Sequence, residues 1–175
     1  MLDVACGAGR HARLFLERGH PVLAVDIDVR GMADVAGHPG LELVERDLED
    51  GGAPPWSGRS FAGVVVTNYL HRPVLPALVA AVSPEGALIY QTFARGNERL
   101  GRPRSSRFLL EPGELLDAVR GQLRVVAYEE LEVAEPRPSV VQRICATGRG
   151  AALLRGGVDG LARSATKGYT ADVDR

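Results

Sequence analysis

From its first residue to about residue 93 the chain alternates short apolar runs with helical or polar segments, and few folds accept that alternation. Met1 to Ala5 is an apolar run that stops at glycines, and it reads as a buried strand. A helix is expected from about Gly9 to Arg18, with Ala12, Leu14 and Phe15 packing inward. Gly19 suits the position just past its end, and Pro21 blocks continuation. Pro21 to Asp26 is a second buried strand, followed by a short helix from Asp28 to about Ala36 with Asp28 as N-cap. Leu41 to Glu45 is a third strand, and residues 49 to 60 form a Gly-, Pro- and Ser-rich loop. Phe61 to Thr67 carries the strongest strand signal. Pro73 to Val82 then reads as a helix with Leu75, Leu78, Val79 and Val82 on one face. Ser83 to Gly86 is a turn, and Ala87 to Phe93 a fifth strand.

Beyond it lie a polar loop at 94 to 110 and a helix from Glu111 to Arg120. Leu123 to Glu130 and Val140 to Thr147 are two further strands, expected as an antiparallel pair at the sheet edge. Strands alternating with helices require a mainly parallel sheet covered on both faces. Right-handed crossovers make it doubly wound. The fold class is therefore α/β, a doubly wound, mainly parallel, seven-stranded Rossmann-like sheet with an antiparallel edge hairpin. One domain is expected over residues 1 to 147, followed by a Gly-rich, partly ordered tail over 148 to 175.

Charge excludes some partners. Formal net charge is −1, so no extended basic surface points to nucleic acid. No apolar run reaches the length of a membrane span. The first residues lack a basic region, an apolar stretch and a cleavage site, so a cytoplasmic location is expected. Two cysteines cannot build a disulfide framework, and the four histidines lack metal-ligand spacing. No metal is expected.

In such a sheet, ligands bind outside the carboxyl ends of the strands, and the informative residues gather there. Strand one runs into Asp3-Val4-Ala5-Cys6-Gly7-Ala8-Gly9-Arg10, where Gly7 and Gly9 permit a sharp turn and close approach to a ligand. Asp26 ends strand two, nineteen residues after Gly7, where a carboxylate can accept both ribose hydroxyls of a nucleoside. Asp47 follows strand three and can accept from an adenine amine. Asn68 and Tyr69 follow strand four and would border the reacting end of the ligand. His71 is either a general base or a helix-start residue without chemistry. His11 can approach a cofactor carboxylate or simply pack at the surface. Arg95, Arg99, Arg102, Arg104 and Arg107 share one loop that should overhang this end of the sheet. They either hold an anionic substrate by charge-assisted hydrogen bonds or form a solvated loop. The glycine run also fits the looser dinucleotide fingerprint, G-x-G-x-x-A, so an NAD(P)-dependent oxidoreductase stays open.

Four stretches resemble the class I S-adenosylmethionine-dependent methyltransferases, and within them the small bacterial tellurite-resistance-type members. LDVACGAGR resembles the family's acidic residue and glycine loop, and VLAVDID its ribose-binding strand. FAGVVVTNYLHRP and SPEGALIYQTF resemble its fourth motif and fifth strand. The resemblance covers Met1 to Phe93 and extends through the late hairpin to about Thr147. It implies S-adenosyl-L-methionine as cofactor, S-adenosyl-L-homocysteine as product, and a small-molecule methyl acceptor. It implies a cofactor site of Asp3, Ala5, Cys6, Gly7, Gly9, Asp26, Ile27, Asp47, Leu48 and Asn68. Asn68, Tyr69 and His71 are the catalytic candidates, and Tyr69, Arg95 and Arg107 the substrate-binding ones. Ala5 stands where many members have glycine. Members carry one or two helices ahead of strand one that help to close the pocket. This chain starts inside strand one, so either a truncated N-terminus or an unusually open site is expected. A cofactor-binding domain with impaired or no catalysis is the third reading.

Overall fold

The computed structural model describes residues 1–152. Its seven strands are β1 (Leu2–Val4), β2 (Val22–Asp26), β3 (Leu41–Glu45), β4 (Phe61–Thr67), β5 (Val82–Phe93), β6 (Arg124–Val133) and β7 (Ser139–Thr147). They form one sheet in the order β3-β2-β1-β4-β5-β7-β6. Neighbours from β3 to β5 pair in parallel, whereas β7 runs antiparallel to both β5 and β6. The expected fold class is the observed one. Chain order reverses between β1 and β4, which opens a crevice at their carboxyl ends.

Period-two alternation decides what each face meets. Leu2, Val4, Leu23, Val25, Val64, Val66, Leu88, Tyr90 and Ile144 share the larger core with helices α2 (Leu75–Ala80) and α3 (Glu114–Val119). Val22 and Ala24 face the other way and pack under helix α1 (Arg10–Glu17) with Ala12, Leu16 and Met32. In α1 the buried pair is Ala12 and Leu16, four residues apart and on one face. Leu14, expected inward, lies two residues off that stripe and is 41 % exposed.

Three elements differ from expectation for local reasons. The 28–36 helix is only a short 3-10 turn, Arg30–Met32. Asp28 Oδ1 takes the Arg30 amide at 3.0 Å, and Gly31 within the turn and Gly37 beyond it disfavour a longer helix. Helix α2 stops at Ala80, and Val82 is instead the first residue of β5, paired with Phe61. The register then jumps to Gly63 opposite Ala87, so residues 83–86 are an excursion inside the strand. Gly86 is required there, because a Cβ would come 2.6 Å from the Phe61 carbonyl oxygen. Helix α3 begins at Glu114 rather than Glu111, because Gly113 at φ 72° precedes it as N-cap.

The loop at 94–110 is ordered by Asn97, which is buried. Its Oδ1 accepts from the Val140 amide at 3.1 Å and its Nδ2 donates to the Pro103 carbonyl at 3.0 Å. The first residues of the expected tail are held as well. Gly148 and Gly150 donate to the carbonyls of Gly86 and Pro84, and Arg124 reaches the Ala151 carbonyl. The rest of that tail, 153–175, lies outside the described residues. Among the described residues no helix is long and apolar enough to cross a membrane, and no cluster of three or more His, Cys, Asp and Glu could hold a metal.

Gln142 ties α3 to the sheet from a fully buried position. Its Oε1 accepts from the Leu115 amide at 3.1 Å and its Nε2 donates to the Glu111 carbonyl at 2.6 Å. Gln142→Ala leaves both groups unpaired and opens a cavity. The expected loss is about 3 kcal/mol in urea unfolding, and Gln142→Glu at neutral pH should lose at least as much.

Candidate functional site

The turn from β1 into α1 is built from left-handed residues. Ala5, Gly7 and Gly9 have φ of 53°, 54° and 76°. Glycine tolerates this conformation freely, whereas an alanine there costs about 1–2 kcal/mol. Ala5 thus holds this backbone at a cost that a glycine would not carry. Gly7 and Gly9 serve different ends. A Cβ on Gly9 would strike Met32 Sδ at 2.6 Å, so Gly9 lets the turn at 30–32 pack close. A Cβ on Gly7 would meet nothing within 4 Å.

Asp26 fixes this turn from the end of β2. Its Oδ2 accepts from the Gly7 amide at 2.7 Å and its Oδ1 from the Asp28 amide at 3.0 Å. Each oxygen keeps acceptor capacity for a ligand. Asp47 Oδ1 accepts from the Glu49 amide at 2.8 Å, a local turn that sets the direction of Glu49. Asn68 leaves β4 at φ 55°, and its amide donates to the Gln91 carbonyl at 2.9 Å. Tyr69 follows, held from behind by the Tyr90 hydroxyl, which donates to the Tyr69 carbonyl at 2.9 Å.

These strand ends enclose a cavity of about 590 Å³, within the usual range for small-molecule sites. Of the residues anticipated from sequence, Ala5, Cys6, Gly7, Asp26, Ile27, Asp47, Leu48, Asn68 and Tyr69 line it. Asp3, Gly9, His71, Arg95 and Arg107 do not. Arg10, His11, Arg46, Glu49 and Thr67 also line it. Sequence reasoning gave Glu49 no role, although it sits two residues beyond Asp47 and so emerges from the same turn.

Asp3 acts underneath the site. It is 1 % exposed, and its Oδ2 accepts from the Ala12 amide at 2.9 Å, capping α1 from the preceding strand. Burial raises its pKa to about 6, despite that bond and the charge of Arg10. His11 Nδ1 is 3.8 Å from Asp3 Oδ1. Burial and Arg10 lower the His11 pKa, so this contact is no ion pair at neutral pH. Cys6 packs its Sγ 3.6 Å from Met32 Sδ, and burial, with Asp3 and Asp26, pushes its thiol up to about 12. It is no nucleophile.

Three of the five arginines of the loop are paired with acids, and Arg102 and Arg104 are exposed. Arg95 pairs with Glu111 at 3.2 Å, Arg99 with Glu132 at 3.9 Å, and Arg107 with Glu49 at the cavity wall. His71 Nδ1 stands 4.0 Å from the same Glu49 carboxylate. Arg72 organises this corner, and no sequence signal marked it. It clasps Glu114 through two bonds of 2.7 and 2.8 Å and donates to the carbonyls of Arg107 and Leu109.

Asp3 gives a pH test. A carboxyl whose folded pKa exceeds its unfolded value of 3.8 binds its proton more tightly in the folded state. Its burial cost is absent below pH 4, grows between about pH 4 and 6, and is complete above. Asp3→Asn keeps an acceptor for the Ala12 amide without the charge. Its stability relative to the parent should therefore rise across that window, by about 2–3 kcal/mol, in urea unfolding at stepped pH. A constant difference from pH 4 to 8 would contradict this placement of Asp3.

No protein-family model matches the sequence, and no curated protein matches it. Solved structures do match. TehB from Haemophilus influenzae superposes with a TM-score of 0.63 at 14 % identity, over 84 % of this chain and 57 % of that one. The 1,6-didemethyltoxoflavin-N1-methyltransferase of Burkholderia thailandensis, solved with 1,6-didemethyltoxoflavin and S-adenosylhomocysteine, matches at 0.61 and 20 % identity, over 83 % and 68 %. A TehB-like SAM-dependent methyltransferase of Corynebacterium glutamicum matches at 0.57 and 22 % identity, over 84 % and 78 %. The chain thus spans little more than half the length of TehB, and it carries the fold of the class I S-adenosylmethionine-dependent methyltransferases.

Proposed function

We propose that this chain transfers a methyl group from S-adenosyl-L-methionine to a small-molecule acceptor by direct in-line displacement. Asp26 carries the reading: a carboxylate at the end of β2, bonded to the Gly7 amide and bordering the cavity. The cavity residues fit the cofactor. Asp26 would accept the ribose hydroxyls, and Asp47 the adenine amine, with Ile27 and Leu48 offering apolar contact to the base. Gly7 leaves room for close approach, and Arg10 and His11 at the start of α1 suit an amino-acid carboxylate. Solved structures of similar fold include methyltransferases with bound S-adenosylhomocysteine or S-adenosylmethionine.

The order of strands argues against a dinucleotide. A six-stranded parallel 3-2-1-4-5-6 sheet is the usual dinucleotide fold. Here an antiparallel β7 separates β5 from β6.

When bound, the cofactor supplies a sulfonium methyl group already activated for transfer. The protein's part is then alignment and exclusion of water. Gly7 and Asp26 hold the turn, Asn68 and Tyr69 border the acceptor side, and no covalent intermediate on Cys6 is needed. A base is required only for an acceptor that is protonated on its reacting atom.

Calorimetric titration with S-adenosylhomocysteine tests this. Micromolar binding, about −8 kcal/mol, is expected. Asp26→Ala should weaken it by roughly tenfold or more, since hydrogen bonds to a charged group contribute about 1.5–3 kcal/mol each. Thermal unfolding of the variant separates lost binding from lost fold. Stabilisation by NAD instead, or no binding by the folded parent chain, would overturn the reading.

A further inference from the structure

We propose that His11 takes a proton from solvent when the cofactor binds, and that the imidazolium so formed holds the cofactor's carboxylate on Nε2 and faces Asp3 with Nδ1. This rests on the methyltransferase reading above and names a proton-linked step in the use of the same cavity.

The first observation is the state of His11 in the free chain. The Arg10 guanidinium stands 3.0 Å from His11 Nε2. A guanidinium donates and never accepts, so Nε2 is the acceptor and carries no proton. The ring is therefore neutral, with its hydrogen on Nδ1, which lies 3.8 Å from Asp3 Oδ1. That distance is too long for a hydrogen bond, so the ring and the carboxylate face each other without joining. Burial first, then the Arg10 charge, lower the His11 pKa and hold the ring in the same neutral form.

The second observation is which cation of the cavity is open to an anion. Arg10, His11 and Arg46 line it together with Asp26, Asp47 and Glu49. Arg46 is paired with Asp50 at 2.8 Å, and Glu49 with Arg107. Asp26 and Asp47 accept from backbone amides. Arg10 has no acidic partner within ion-pair distance among the described residues, and it rests on a neutral imidazole instead. A carboxylate is a stronger acceptor for a guanidinium than an uncharged ring nitrogen is.

Together these link ligand charge to a proton. When Arg10 turns to the arriving carboxylate, Nε2 is left with a bare lone pair beside an anion. A proton on Nε2 removes that repulsion and makes a charge-assisted hydrogen bond in its place. Arg10, which opposed the proton, is neutralised by the same carboxylate. The other charges near the ring favour the imidazolium. Asp3 faces it from β1, with Oδ2 held by the Ala12 amide and Oδ1 toward the ring, and Asp26 adds its charge from the end of β2.

Calorimetric titration at neutral pH in phosphate and in Tris, buffers of small and large ionisation enthalpy, counts the protons exchanged on binding. S-adenosylhomocysteine should bind with uptake of about 0.5 to 1 proton. A group whose pKa rises on binding contributes affinity below that raised pKa and loses it as pH rises through it. The affinity should therefore fall by about three- to tenfold from pH 7 to pH 8. Methylthioadenosine keeps the nucleoside and lacks the amino acid, so it should bind without uptake. His11→Gln should abolish the uptake and flatten the pH profile. Asp3→Asn should lower the uptake, because the imidazolium loses the charge behind it, and this second variant keeps the test decisive if the first does not fold. No uptake by the parent chain, full uptake in His11→Gln, or equal uptake with methylthioadenosine overturns the proton link alone. No S-adenosylhomocysteine binding by the folded parent chain overturns the methyltransferase reading, and this one with it.

Discussion

The 2.7 Å hydrogen bond from the Gly7 amide to Asp26 joins the ends of the two strands on which everything else in the cavity is built. It fixes the left-handed turn that starts α1 and leaves the Asp26 carboxylate directed toward the crevice. A second carboxylate works one layer below. Asp3 faces the α1 side of the sheet because Leu2 and Val4 face the other, and from there it caps the Ala12 amide. Helix α1 is thus placed by two acids, one above the turn and one beneath it. Arg13 closes the arrangement by donating to the carbonyls of Ala8 and Gly31 and to Asp34. The side of the cavity formed by β1, β2 and α1 is therefore held by hydrogen bonds within the protein itself.

The opposite side is organised differently. There the contacts run between elements distant in sequence, and most are ion pairs. Arg72 gathers α3 and the 94–110 loop, and that loop then delivers Arg107 to Glu49. Exposed ion pairs of this kind are weak and exchange readily with solvent or with a ligand. A backbone pinned by Arg72 with an exchangeable Arg107 side chain combines fixed position with replaceable charge.

This division explains what could be read from sequence. β2 and β4 are apolar runs buried almost throughout, and the edge strand β3 alternates apolar and acidic residues, so Leu41–Glu45 and Phe61–Thr67 could be bounded to the residue. Residues that act through backbone turns at strand ends, such as Gly7 and Asp26, were legible because position along the strand dictates their place. Glu49 and Arg72 were not legible, since their partners lie up to 58 residues away and no period marks them. The pairing of the arginine loop was hidden for the same reason: Arg95 and Arg99 face Glu111 and Glu132 across tertiary contacts that sequence does not reveal. Short helices were overread where side chains compete with the backbone, as Asp28 does, or where an apolar residue such as Val82 fits a helical face and a strand equally well.

Local cost is concentrated where the two halves meet. Ala5 and Asn68 hold left-handed backbone, Asp3 is a buried carboxylate, and Tyr69 has an unpaired hydroxyl. Each of these costs on the order of 1–3 kcal/mol. All four sit at or just beyond the carboxyl half of β1 or β4, the strands that flank the switch point. A sheet stabilised by its apolar interior can carry such costs, because β1 and β4 pair with each other and with β2 and β5 through regular registers. All four are built into the scaffold. The strain at Ala5 and Asn68 and the burial of Asp3 persist in any state, and the Tyr69 hydroxyl lies beneath the surface, its ring packed against the larger core. The strands at the switch point therefore carry costs that the apolar interior has to offset.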